Sequence, residues 1–360
     1  MKIEDVKPLL DEVIRKGRVH WYKPIQIAEV LYRDRVEGDI DLEQIETYRI
    51  NSKKWRNSIT NKFLGRVCSS SNDYQDALFL KAIPPENLTI LGKYNKEKGG
   101  VIEKYIYDQF LDRFNQMSKI LDYCKNHDVS NFVLKDLLEL FRVQPGLKKS
   151  VDKIYEIVVY ALFTTLVSVL EVKVTVSYNP ERKELLCLFE DFSEKVICIS
   201  PSQETFISDA SIYRVGVTNA ADRGLDMWGN FGPAIQIKHL TLDEELAESI
   251  TSEIYSNRIV IVCKDSEQKT IVSLLNQIGW RSKIQSIVVE SELEDWYEKA
   301  LRGKFASSIG NELIEILEKE IINEFPITKN VDFNIFYNTR GYNDLNDVIW
   351  KYQPEKVELN

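Results

Sequence analysis

The chain has 360 residues, 44% of them hydrophobic, and its 47 Lys and Arg against 56 Asp and Glu leave a net charge of -9. That size fills the cores of two or three domains, and the acidic balance argues mildly against nucleic acid as a partner, although phosphate contacts depend on a local patch more than on the sum. The longest uncharged apolar run, Ile157 to Leu170, is shorter than the roughly 20 residues that span a bilayer, and the charged start Met1 to Val6 lacks a signal-peptide core, so no membrane partner and a cytoplasmic location are expected.

In chain order, Val6, Leu9, Leu10, Val13 and Ile14 recur at helical spacing between Ile3 and Lys16, which predicts an amphipathic helix. Pro24 suits the first turn of a second helix through Ile27, Val30 and Leu31. Asp41 is placed to cap a third over Leu42 to Tyr48, and Ser52 a fourth over Lys53 to Leu64, with Trp55, Ile59 and Phe63 on one stripe. Between Thr47 and Asn72 the acidic balance reverses, with six basic residues and no acidic one. Lys53, Lys54, Arg56, Lys62 and Arg66, with Asn57 and Thr60 beside them, form a candidate DNA-binding surface. Their side chains could meet phosphates and base edges in a helix-turn-helix-like arrangement. A merely solvated basic helix face remains the alternative.

Pro84-Pro85 and Gly99-Gly100 mark a boundary. Two amphipathic helices, Ile102 to Leu121 and Asn131 to Phe141, follow, and Pro145-Gly146 breaks the pattern again. Beyond Ser150 a buried helix is expected over Val151 to Leu170, then strands near Val172 to Tyr178, Glu184 to Phe189 and Lys195 to Ile199. The run Ala234 to Leu240 alternates as a strand does, so Gln236 and Lys238 share one face and Ile235 and Ile237 the other. His239 falls opposite Lys238 and is assigned to packing. A helix over Asp243 to Tyr255, a strand over Arg258 to Cys263, a helix over Glu267 to Ile278 and a strand over Ile284 to Val289 complete the alternation. Helices over Glu292 to Leu301 and Ser307 to Ile322 precede a tail whose Tyr337, Tyr342, Trp350 and Tyr352 are expected to pack. The fold class is α/β (α+β), a mixed sheet flanked by helices after a mainly helical N-terminal region.

The chemistry concentrates in Ala221-Asp222-Arg223-Gly224-Leu225-Asp226 and the strand after it. Asp226 offers a hard carboxylate oxygen of the kind magnesium prefers, and Gln236 an amide oxygen. Lys238 offers a cation to orient water or offset developing charge. Asp222 and Asp226 could instead be ordinary turn residues around Gly224, and Lys238 a solvated strand residue. Five scattered cysteines without a CxxC pair, and three histidines, argue against structural zinc. No Walker loop, GxGxxG turn or Ser or Cys nucleophile motif supports an enzyme of small substrates.

Gly224, Asp226, Gln236 and Lys238, with the Asp222 to Asp226 spacing, resemble the PD-(D/E)xK nuclease superfamily in the variant where glutamine replaces the acidic residue, as in Mrr-like and several type II restriction enzymes. The run Gly216 to Leu242, and Arg18 to Glu29 near the start, resemble the HaeII restriction endonuclease family. The resemblance implies a type II restriction endonuclease that hydrolyses double-stranded DNA with Mg2+, leaves 5′-phosphates, recognises RGCGCY and works beside a cognate DNA methyltransferase. It implies Asp226, Gln236 and Glu156 around the metal, the last because such enzymes often carry a glutamate on the helix before the core sheet. Glu156 could equally be a partly exposed residue near a helix start. Short palindromic sites are normally cut by two-fold dimers, so a homodimer is expected. The implied organisation is a DNA-recognition domain over 1–100, a helical connector over 101–150, a PD-(D/E)xK nuclease domain over 151–330, and a tail over 331–360 packed on the core. Two rivals stay open: a modification-dependent Mrr-like endonuclease, and a non-catalytic DNA-binding regulator that needs neither Asp226 nor Lys238.

Overall fold

The computed structural model describes residues 2–17, 20–144, 147–215, 225–241, 245–246, 249–250, 254, 256, 258–265, 284–328 and 332–353. Asp222 and Gly224, and all or most of the helices expected over 243–255 and 267–278, lie outside the described residues. The chain forms two compact units, Met1–Lys125 with Glu139–Val151 and Ile321–Asn360, and Asn126–Leu138 with Asp152–Glu320. No helix among the described residues is long and apolar enough to cross a membrane.

The first unit is helical, with Ile3–Arg15, Tyr22–Val36, Ser52–Leu64, Pro85–Glu97 and Val101–Asn126 as its longer N-terminal elements. The first helix buries Val6, Leu10, Val13 and Ile14, four of the five residues whose spacing predicts it. Two caps differ from expectation. Ser52 lies inside its helix, donating its hydroxyl to the Arg49 carbonyl, and Asp41 heads a short turn, accepting from Glu43 N–H, with only a 3-10 turn over Ile45–Thr47 beyond it. Residues 37–51 connect the second and third helices, a longer link than the three to four residues of a compact helix-turn-helix.

Residues 101–125, read from sequence as connector, cluster with these helices, and so does the C-terminal segment. Tyr337, Tyr342 and Trp350 are buried, and Phe333 stacks on Phe63 with ring centroids 4.5 Å apart. Two buried carboxylates fasten that segment. Arg340 bonds Glu29 at 2.6 and 2.9 Å, and Tyr107 donates to the same carboxylate. Glu103 accepts from Arg35 at 2.8 Å through each oxygen and from Tyr342 at 2.7 Å. Breaking one side of such a pair strands a charge. Arg340→Met is therefore expected to cost about 3 kcal/mol, read as a lower urea midpoint with an unchanged slope.

The second unit holds the sheets. β1 (Lys173–Ser177) and β2 (Thr205–Asp209) pair antiparallel by themselves. β3 (Ile212–Arg214), β4 (Met227–Gly229), β5 (Ala234–Thr241), β6 (Ile259–Lys264) and β7 (Ile284–Val289) form a five-stranded sheet in that order, antiparallel through β3-β4-β5 and parallel through β5-β6-β7. β6 buries its first five residues, Ile259 to Cys263, as a strand covered on both faces must. Ile250, Ile254 and Ile284 pack with it. The helix Val151–Val169 buries Ile154, Tyr155, Ile157, Val158, Val159, Ala161 and Leu162, and accepts at Val158 O from Tyr297 on the helix Glu290–Arg302. The α+β class with a C-terminal mixed sheet agrees with the sequence. The strands expected over Glu184–Phe189 and Lys195–Ile199 are helical turns instead, Lys183–Leu188 and Ser193–Ile197. Leu185, Leu188, Phe189 and Phe192 follow a helical period, and Asn179 caps the turn that opens the run, a signal the short apolar stretch conceals when scanned for strands.

Candidate active site

Strand register builds the site. Met227 pairs with Ile235 and Trp228 with Ala234, so Asp226, one residue before Met227, comes level with Gln236. Opposed residues of an antiparallel pair share a face. Lys238 follows two residues after Gln236, past Ile237, where the pairing of β5 with β6 shifts register. The turn between β4 and β5 closes with Gly232 N–H donating to Gly229 O at 2.9 Å, and needs glycine at 232, where φ is +113°. Asp226 Oδ2 accepts the Ile237 N–H at 2.7 Å, which ties the carboxylate to β5.

Burial pushes the Asp226 carboxyl up to about 6 from its ordinary 3.8, against the pull of the Ile237 N–H. Glu156 pushes it further up, while Lys238 and Lys153 pull it down. Glu156 and Lys238 therefore stand within electrostatic reach of Asp226. Gln236 is 2% exposed, and its Oε1 has no hydrogen-bond donor among the described residues. A buried carbonyl oxygen left so costs roughly 1–3 kcal/mol unless a cation or water satisfies it.

The raised carboxyl gives a prediction for metal-free protein. Its folded pKa lies above the unfolded one, so the stability it contributes is complete at low pH and lost as pH rises through about 6. In EDTA, Asp226→Asn is expected to melt above wild type at pH 8, by about 2 kcal/mol after allowance for partial exposure. The difference should close as pH falls from about 6 to 4; an equal gap at both ends of a thermal-melt pH series would contradict the assignment.

Glu156 lies on the helix Val151–Val169 and is 6% exposed. Its oxygens accept from Lys153 at 2.6 and 2.8 Å, and Arg214 of β3 stands 3.6 Å away. Arg214 also pairs with Glu320 at 2.5 Å. Sequence reading missed both cations. Lys153 was findable as the i−3 neighbour of Glu156 on one helix face, whereas only the register of β3 brings Arg214 in. His239 Nδ1 shares a hydrogen bond with Asp152 Oδ1 at the helix start, a polar contact in place of the packing role expected.

Asp226, Gln236 and Glu156 together offer hard oxygen atoms, one of them orphaned, to a single region, and these donors fit an alkaline-earth cation. No group of three or more His, Cys, Asp or Glu suited to a metal occurs among the described residues.

The candidate DNA-binding residues divide. Lys54, Lys62 and Arg66 are exposed, and Lys53 and Asn57 are half-buried. Arg56 and Thr60 are fully buried. Arg56 donates to Gln26 at 3.0 Å and to the Cys68 carbonyl at 2.5 Å, so it braces the 68–70 loop and cannot present itself to a duplex as it stands. Asn57 also holds that loop through Cys68.

The family model of the HaeII restriction endonuclease matches residues 6–342. The chain is 55% identical over 347 residues to the type II restriction enzyme HaeII of Haemophilus aegyptius, covering 96% of this chain and 99% of that enzyme. It is 54% identical over 341 residues to the type II restriction enzyme NgoBI of Neisseria gonorrhoeae, covering 94% of this chain and 97% of that one. No solved structure matches.

Proposed function

The chain belongs to the HaeII restriction endonuclease family, and from that premise we propose that Asp226, Gln236 and Lys238 are the catalytic core of a PD-(D/E)xK-type site that cuts double-stranded DNA with Mg2+. A type II restriction endonuclease acts on duplex DNA and, as a class, depends on a divalent cation. The observation that carries the site assignment is the orphaned Gln236 Oε1 beside the buried Asp226 carboxyl. The regulator left open by the sequence would have no use for that arrangement, and both named relatives are restriction enzymes.

Asp226 and Gln236 would hold the cation, with Glu156 as a third donor once its bond to Lys153 gives way. Bound there, Mg2+ supplies charge that polarises the scissile phosphoryl group. Lys238, whose charge acts on the Asp226 carboxyl, would orient the attacking water and offset negative charge as the P–O3′ bond breaks. The water oxygen ends on phosphorus as a 5′-phosphate, and the departing 3′-oxygen takes a proton. Asp226 must be ionised to hold a cation, so Mg2+ affinity should fall about tenfold per pH unit below about 6.

Lys53, Lys54, Lys62 and Arg66 are proposed to contact phosphates from the N-terminal helical region, with Asn57 beside them; Arg56 and Thr60 leave that list because they are buried. The proposal includes RGCGCY as the target, a homodimer, a cytoplasmic setting and a cognate methyltransferase as functional partner. Plasmids carrying RGCGCY, unmethylated or methylated within the site, test it. Cutting of the unmethylated plasmid in Mg2+ but not EDTA, with the methylated one spared, supports a restriction enzyme. Cutting of the methylated plasmid alone would instead favour a modification-dependent enzyme.

A further inference from the structure

The helical run Lys183–Ile197 carries an apolar stripe on its outer side. Leu185, Leu188, Phe189, Phe192 and Val196 recur at helical spacing, and each is between 51% and 73% exposed. On the inner side only Leu186 and Ser193 are buried. Beside it, β1 and β2 form a two-stranded sheet in which no residue is buried. Such a pair is marginal alone and exposes strand edges. The module joins β3 through Ala210 and Ser211, and Asn230, in the turn between β4 and β5, donates to Asp209 O and accepts from Ser211 N–H at 2.9 Å.

We propose that this stripe is where a second copy of the chain docks, the two runs packing antiparallel across a two-fold axis near Phe189. The proposal deepens the homodimer reading above and rests on it. Residues 171–209 hold eight acidic and four basic residues, a balance that repels a phosphate backbone and leaves a protein surface as the occupant. Five side chains of roughly 150–200 Å² each, all more than half exposed, supply on the order of 400–500 Å² of apolar surface. That is the core of an interface that needs about 800 Å² per partner once a polar rim is added. Charge complementarity picks the orientation. Exposed Glu184 and Lys195 lie towards opposite ends of the run, Glu184 in the first helical turn and Lys195 in the last, with the chain breaking helical form at Phe189 between them. Antiparallel packing sets Glu184 of each copy near Lys195 of the other, whereas parallel packing opposes like charges.

Sedimentation of the whole protein tests the proposal, with circular dichroism to report folding and supercoiled plasmid to report cleavage. Wild type is expected at twice the chain mass. Leu188→Glu/Phe192→Glu should associate at least tenfold more weakly and nick plasmid rather than linearise it. Glu184→Lys and Lys195→Glu should each weaken the dimer, and the double variant should restore it, a test that stands even where the apolar variant fails to fold. Stripe and charge variants that dimerise like wild type would overturn this surface and leave the homodimer intact. A wild type monomeric both free and on DNA would remove the homodimer and this proposal together, whereas nuclease activity is scored separately on plasmid.

Discussion

Asp226→Ala is expected to slow single-turnover cleavage at saturating Mg2+ by about 10⁴-fold or more, a loss of roughly 5–6 kcal/mol of transition-state stabilisation. Among the described residues Asp226 is the only ionisable donor the register places level with Gln236, so its removal leaves a neutral amide and a glutamate already held by Lys153. The proposed DNA contacts of the N-terminal helices are untouched, and duplex affinity measured in Ca2+ or EDTA should change less than threefold. A variant that cuts within tenfold of wild type would move the metal site elsewhere. The variant also loses a buried carboxyl whose ionisation is costly, so its metal-free melting temperature should not fall; a collapse in stability would make lost activity uninformative, and Asp226→Asn then serves in its place.

Lys238→Met should reduce the cleavage rate constant by roughly 10³-fold, the scale of losing one well-placed electrostatic stabiliser in a partly desolvated site. KM and Mg2+ affinity should move little, because the ammonium group is asked to act on charge that develops during bond breaking rather than on ground-state binding. One effect should run opposite to simple loss. Lys238 pulls the Asp226 carboxyl down, so its removal should shift the acidic limb of the pH–rate profile upward. Lys238→Arg keeps the charge and should return that limb towards wild type even where rate is only partly rescued. A merely structural lysine would lower stability and leave the pH profile in place.

The strand that carries the candidate site was legible from the alternation of Ala234 to Leu240, and β5 forms over Ala234–Thr241, with a shift in its pairing to β6 past Ile237. Glu156, offered by analogy with related nucleases, adds to the upward push on the Asp226 carboxyl. The three-residue strands β3 and β4 are too short to announce themselves, and with them Arg214 was invisible. The helical run Lys183–Ile197 was misread because short apolar stretches suit strand and helix alike, and because its apolar residues face outward where a single-chain reading expects a core. In the basic stretch, net charge alone could not distinguish Lys54 and Lys62, which reach solvent, from Arg56, whose guanidinium is consumed by Gln26 and the Cys68 carbonyl. Of the tail aromatics, Tyr337, Tyr342 and Trp350 are buried, in a segment that clusters with the N-terminal helices.

Sequencing the ends that wild type and Asp226→Ala leave on unmethylated phage DNA in Mg2+ tests the central claim most directly. The account predicts discrete fragments from wild type, every end carrying a 5′-phosphate within one palindromic sequence of the RGCGCY pattern, and none from the variant. Ends scattered without a common sequence, or an Asp226→Ala protein that leaves the same ends at the same rate, would contradict it.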